Sequence, residues 1–171
     1  MNKILKIALK FVGIAIIVFF VTGIIFDQTT YTNSITVNKP ITEVFEKFTN
    51  VNLLKEWNPK LKSVKISKET PNKVGTVYEK EIENNGRFLI ITEEIKAYVP
   101  NQKITYFLDA NITLKTDSYQ FSEKDGKTTI TKNSIIESGA YIMDCIYPWM
   151  KGTFKKMDQA PLDNFKVMLE K

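Results

Sequence analysis

The amino-acid sequence predicts an α+β fold: one small mixed domain preceded by a single apolar helix. Three patterns predict it. Residues 11–26 run for sixteen positions without a charge. From residue 64 to residue 136, short segments with period-2 alternation are separated by turn chemistry. The last part of the chain returns to apolar residues three and four apart, the period of a helix face. Apolar residues make up 43% of the 171 and charged residues 25%, enough to close one core and too apolar for a disordered chain.

The apolar run FVGIAIIVFFVTGIIF spans about 24 Å as a helix, and about 30 Å with residues 7–10, the thickness of a bilayer core. Lys10 lies near its end, where a long stem reaches back to the headgroups. The run has no polar face, so a buried core helix is disfavoured. A cleaved signal peptide is the competing reading. Against it, the run is long and its end lacks a small-x-small site, except for Val21-Thr22-Gly23 inside the apolar stretch. Residues 1–26 are therefore expected to be a single-pass membrane anchor. Lys3, Lys6 and Lys10 lie on its N-terminal side, which keeps the N-terminus in the cytoplasm and sends the domain across the cell membrane. Residues 27–33 are polar, lack helix periodicity and are expected to be a tether, with the domain proper at 34–171.

Within the domain, residues 34–38 alternate and are β-branched, as a first strand should be. Lys39-Pro40 opens a helix whose Ile41, Val44, Phe45 and Phe48 make one apolar stripe. Asn50 can cap a second short helix through Val51, Leu54 and Trp57, stopped by Asn58-Pro59. Six further strands are expected at 64–67, 74–82, 87–97, 103–108, 112–121 and 128–136. Thr70-Pro71-Asn72, Asn84-Asn85-Gly86, Pro100-Asn101 and Asp125-Gly126 separate them, and Asn-Gly and Asp-Gly suit tight hairpins. Successive hairpins make an antiparallel meander, and no internal repeat is visible. Met150, Phe154, Met157, Pro161, Phe165 and Met168 then form one helix face, kinked at Pro161. Residues 141–149, broken by Pro148, are expected to be a short helix or loop over the sheet.

Charge and absences limit the chemistry. Three of the 24 basic side chains precede residue 27, and the remaining 21 face 19 acids. A domain that near neutrality has no footprint for a phosphate backbone, so no nucleic-acid partner is expected. The sequence has no histidine and one cysteine, Cys145, which removes His-based triads, internal disulfides and thiolate-rich zinc sites. Cys145 sits among apolar residues and is expected to be a buried structural thiol. No catalytic residue, metal ligand or cofactor is assigned. Glu79, Glu81 and Glu83 share a strand face that fits solvent. Glu93 and Glu94 point to opposite faces, so at most one points inward, and an inward glutamate or Lys80 is the only acid–base candidate. Lysine supplies all the basic residues except Arg87, which suggests an AT-rich bacterial genome.

Residues 35–50 (ITVNKPITEVFEKFTN), followed by Glu56-Trp57-Asn58-Pro59, resemble the opening of the START-related SRPBCC superfamily, which includes polyketide cyclase-like proteins and lipid-transfer domains. Val74-Gly75, Val99-Pro100 before residues 104–107, and the ending NFKVMLE also resemble it, so the resemblance covers 34–171. It implies a helix-grip fold: a strongly curved antiparallel sheet of about seven strands around a long C-terminal helix, with two short helices after the first strand. It also implies an apolar cavity between sheet and helix. Trp57, Phe88, Ile90, Tyr106 and Leu108 are the candidate walls from the first half of the domain. Tyr119, Phe121, Trp149, Met150, Phe154 and Met157 are those from the second half, with both tryptophans near the mouth. The alternative is that these residues fill a core. The fold hosts unrelated activities. The function expected first is binding of a lipid or other apolar small molecule in the cavity, at the extracytoplasmic membrane face. A protein-interaction module of the envelope and a cyclase- or hydrolase-type enzyme are the alternatives.

Overall fold

A computed structural model describes residues 2–84 and 86–171. Helix α1 (Lys3–Ile25) leads into strand β1 (Gln28–Val37), helix α2 (Ile41–Thr49), a 3-10 turn (Val51–Leu53) and helix α3 (Leu54–Trp57). Six strands follow: β2 (Leu61–Lys68), β3 (Val77–Asn84), β4 (Arg87–Val99), β5 (Lys103–Ala110), β6 (Thr113–Lys124) and β7 (Lys127–Ser138). Helix α4 (Tyr141–Leu169) ends the chain. The seven strands form one antiparallel sheet in the order β1-β7-β6-β5-β4-β3-β2, so the meander closes back on the first strand.

The expected tether is not one. Residues 28–33 extend β1, pairing Gln28 with Glu137 through Asn33 with Lys132. Its polarity misleads because the buried positions of this half-strand are Thr29, Tyr31 and Asn33. The Asn33 side-chain N–H groups donate to the Lys155 carbonyl and the Gln159 amide oxygen of α4, which satisfies both donors away from water. The expected turns hold elsewhere. Asp125 and Gly126 both have positive φ, 52° and 70°, as a two-residue hairpin between Lys124 and Lys127 requires. Gly86 has φ 76°, and its neighbour Asn85 lies outside the described residues. Asn50 caps the 3-10 turn by accepting from the Asn52 amide at 3.0 Å.

Helix α4 corrects two expectations. It is continuous from Tyr141, through both Pro148 and Pro161. Pro148 removes one backbone bond, yet the helix continues, with Cys145 and Tyr147 buried in the turn that precedes it. Its sheet-facing stripe also differs from the expected one. Tyr147, Asp158, Leu162, Phe165 and Leu169 face inward, whereas Met150 and Met157 are exposed. The true stripe contains a carboxylate, so an apolar-only search drifts off it.

A row of paired residues, Gln28–Glu137–Leu114–Asp109–Thr92–Glu79, crosses the sheet from β1 to β3 and divides the domain. Beyond it lie the end of α1, the turn at Asn111-Ile112, the start of α4 and the β3–β4 hairpin tip. On the other side, Val37, Ile104, Ile130, Phe121 and Ile35 meet Val44, Phe45 and Phe48 of α2 and Phe165 of α4 in a filled core. Phe48 stands within 5.4 Å of four aromatic rings, those of Trp57, Tyr119, Phe121 and Phe165. The space left open lies nearer the dividing row.

Candidate functional site

At the α1 end of the sheet, inward positions alternate between apolar and charged. Ile91 and Glu93 come from β4, Lys80 and Ile82 from β3, Lys115, Asp117 and Tyr119 from β6, and Lys132 from β7. With Trp57 and Leu61 on one side and Asp158, Pro161 and Leu162 of α4 on the other, they enclose a cavity of about 210 Å³. That is smaller than most drug-sized ligand sites, which begin near ~300 Å³. The cavity is not the apolar one expected: Phe48, Leu54, Ile82, Ile91, Leu108 and Leu162 are interleaved with charged side chains, Ile91 opposite Lys80 and Leu108 between Glu93 and Lys115.

The charges are paired. Lys115 donates to Asp158 at 2.7 and 2.9 Å, and Lys132 bridges Asp158 at 2.8 Å and Asp117 at 2.9 Å. Ser134 donates to Asp117 at 2.6 Å and Tyr31 to Asp158 at 2.8 Å. Lys80 pairs with Glu93 on the adjacent strand. Burial alone would raise the Asp158 pKa, but the ammonium groups of Lys132 and Lys115 hold it well below the usual carboxylate range. Lys132 is shifted upward because Asp117 and Asp158 outweigh the desolvation that would lower it. These three side chains are thus fixed in their charged forms at neutral pH. Three cations and three carboxylates leave the cavity electrically neutral.

Burial pushes the phenols of Tyr106 and Tyr119 well above their ordinary value, so both keep their protons and remain hydrogen-bond donors. Lys80 lies 5.5 Å from the Tyr106 ring centre and Lys132 5.3 Å from that of Tyr119. The indole N–H of Trp57 is buried beside the cavity with no hydrogen-bond partner.

Of the expected wall residues, Trp57, Tyr106, Leu108 and Tyr119 line the cavity. Phe121 is in the filled core against Phe45 and Phe48. Phe88 and Ile90 are 62% and 65% exposed, because the inward positions of β4 are Ile91, Glu93 and Ile95 and a one-residue slip reverses every side chain. Trp149 and Met150 lie against α1, in a cleft with Ala15, Val18 and Phe19, and Trp149 is 68% exposed. Phe154 packs on Tyr147 in a second small core, and Met157 sits in a surface groove with Pro59 and Pro161. Sequence reasoning missed Lys115, Asp117, Lys132 and Asp158. The available signal was parity: Lys115 and Asp117 share the phase of Tyr119 and Phe121, and Lys132 that of Ile130 and Ile136.

Of the expected acid–base candidates, Glu93 and Lys80 turn inward. Glu94 pairs with Lys96 outside, Glu79 is exposed, Glu81 accepts from Ser63 and Glu83 pairs with Lys62. Cys145 is buried, as expected.

A curved antiparallel sheet, two short helices after its first strand and a long closing helix over a cavity define the helix-grip fold of the START-related superfamily. The chain belongs to the family described as "Polyketide cyclase / dehydrase and lipid transport", whose model matches residues 28–170. Among solved structures, the di-domain ARO/CYC BexL from the BE-7585A biosynthetic pathway is similar at TM-score 0.69 and 18% identity, over 85% of this chain and 51% of that one. The Zhui aromatase/cyclase from Streptomyces sp. R1128 is similar at TM-score 0.63 and 13% identity, over 80% and 93%. A START superfamily protein from Mycobacterium smegmatis gives TM-score 0.67 at 10% identity, over 82% and 97%. The chain thus spans about half the length of the di-domain proteins, and these identities speak for the fold. Among curated proteins, none matches the sequence.

Proposed function

We propose that this domain binds a small amphipathic molecule, a lipid or a similar compound with oxygen substituents, in the cavity between the sheet and α4, and that α1 anchors it to the cell membrane with the domain extracytoplasmic. The observation that carries the ligand reading is a cavity whose lining interleaves apolar side chains with paired charges and includes Trp57, whose N–H has no partner. A pure hydrocarbon would leave that donor without a partner, at about 1–3 kcal/mol for an unsatisfied group. A net charge on the ligand would have no free counter-charge, since the six ionised groups neutralise one another. An uncharged polar group next to an apolar body therefore fits best.

The anchor reading rests on α1, whose 23 residues have a mean hydropathy of 2.6 in their most apolar window and are long enough to cross a bilayer. A second functional reading, catalysis, is favoured by the inward Lys80–Glu93 pair, the kind of polar couple that acid–base chemistry uses. The binding reading is preferred because Asp158, Lys115 and Lys132 are locked in their charged forms rather than poised to exchange protons near neutral pH.

Native mass spectrometry of residues 27–171 purified from the host should reveal a copurified small molecule. Titration of the delipidated protein with long-chain alcohols, fatty acids and oxygenated aromatics should shift tryptophan emission saturably, with neutral compounds preferred. Trp57→Phe should weaken binding about 5–10-fold for loss of one hydrogen bond. A folded, delipidated protein that gives no saturable response to the panel overturns the reading. A ligand recovered with changed mass would turn it toward catalysis.

A further inference from the structure

Ile66, Val74, Val99, Met157 and Val167 are exposed elsewhere on the domain, but the densest group of exposed apolar side chains lies at one end. Beyond the dividing row of the sheet, Phe88, Leu89 and Ile90 at the β3–β4 tip, Ile112 in the β5–β6 turn, and Tyr141 and Ile142 at the start of α4 are each between 44% and 65% exposed. All three groups lie at the end of the sheet where α1 joins β1. The turns at the opposite end are mainly polar: TPNKVG at 70–75, Pro100-Asn101 and Asp125-Gly126. Strand pairing explains the protrusion of the tip. Strand β5 stops at Ala110, one residue past the row, so residues 87–91 have β3 on one side and no strand on the other. An unshielded Phe-Leu-Ile sequence on such a tip is costly in water and common where a protein meets an apolar phase.

Helix contacts give a second, independent observation. Helix α1 does not leave the domain freely. The Tyr141 hydroxyl donates to the Phe20 carbonyl, the two rings stack 6.3 Å apart, and Thr22 and Gly23 are buried. A Cβ on Gly23 would stand 2.5 Å from the Cys145 sulfur, so glycine is what lets the helices approach. Whatever touches residues 15–23 of a membrane-spanning α1 shares their depth. Those residues form the half of the span nearer the domain, and what touches them is the first ten residues of α4.

We infer that the domain is seated on the bilayer that α1 enters, with lipid covering the β3–β4 tip, Ile112 and the first turns of α4. Tyr141 is a residue type that settles at a membrane interface, and Trp149, against Ala15, Val18 and Phe19, lies deeper along α1. This seat rests on the anchor reading of α1 and is independent of what the cavity holds. The cavity straddles the dividing row, with Ile82 and Ile91 on the membrane side and Tyr119 and Lys132 on the side of the filled core.

The test uses the full chain in phosphatidylcholine vesicles with brominated acyl chains. In a Trp57→Phe, Trp149→Phe background, tryptophan is placed at Ile112 (Ile112→Trp) or, at the far end, at Val99 (Val99→Trp). The seat predicts that the Ile112 reporter is blue-shifted, loses most of its emission to bromine and resists aqueous iodide, while the Val99 reporter does the reverse. Hydrogen exchange on the unmodified chain in nanodiscs checks this without substitutions: amides at 86–90 and 111–113 should exchange several-fold more slowly than those at 101–102 and 125–126. Equal quenching and equal exchange at the two ends, in protein that alkaline carbonate does not extract, overturn the seat and leave the anchor. Extraction by carbonate overturns both. Slow exchange at 86–90 and 111–113 that persists without lipid and depends on protein concentration would assign the surface to a second copy and also overturn the seat.

Discussion

Asp158 accepts from Lys115, Lys132, Tyr31 and Ser134, so a single carboxylate ties β1, β6 and β7 to α4. Asp158→Asn should destabilise residues 27–171 by about 3–5 kcal/mol in urea unfolding, because it leaves two buried ammonium groups with Asp117 alone. The pH dependence has a definite sign. The folded-state pKa of Asp158 is depressed, so its contribution is fully present above its unfolded value, ~3.9, and is lost as pH falls below it. Lys132 is raised, so its contribution is present below ~10.4 and is lost as pH climbs through the raised value. The stability difference between wild type and Asp158→Asn should therefore be flat across neutral pH and shrink steadily below about pH 4. A difference that grows in acid would mean that the carboxylate is not held ionised. The four charged residues of this network were readable only as outliers of phase. A lysine at a core parity looks like an exposed residue until its partners on other strands are known.

Among the elements, α4 does the most to organise the domain. Its last turns carry Leu162, Phe165 and Leu169 into the filled core, where Phe165 meets Phe48 and Trp57 edge-on, with ring centroids 5.3 and 5.4 Å away. Phe165→Ala should cost about 3–5 kcal/mol, since the side chain is fully buried and its neighbours come from three different elements. Phe154→Ala, in the smaller cluster with Tyr147, should cost less, because Phe154 is only partly buried. Equal losses, measured by urea unfolding, would mean that the two halves of α4 are packed alike. The existence of α2, α3, all seven strands and the long helix was legible from periodicity, Asn50 and the turn dipeptides. Where β1 begins was not, because Tyr31 and Asn33 are buried by donating hydrogen bonds to α4, which no local pattern encodes.

For the whole molecule, α1 decides location. The full chain should remain with membranes through high salt and alkaline carbonate, and residues 27–171 should not. Protease added to cells stripped of any outer wall should reach the domain; protection would reverse the orientation. A mature chain beginning near residue 24 would make α1 a signal peptide. The exposed, apolar surface of residues 3–21 is compatible with lipid and unsuited to water.

By itself the sequence determined the class of the protein: an apolar helix, a seven-stranded meander, a long closing helix, and the residues that place it in its family. These follow from local physics, since periodicity, turn conformation and capping act over a few residues. Tertiary structure alone decided the nature of the cavity. Whether Phe88 or Ile91 faces inward depends on a one-residue register, and register is set by pairing across the sheet. Whether Lys115, Lys132 and Asp158 are solvated or buried depends on charges more than ten residues apart meeting in a space of low dielectric, where pairing replaces water. An apolar ligand site expected from composition thus became a neutral site of mixed lining, because ion pairs that are invisible along the chain close in three dimensions.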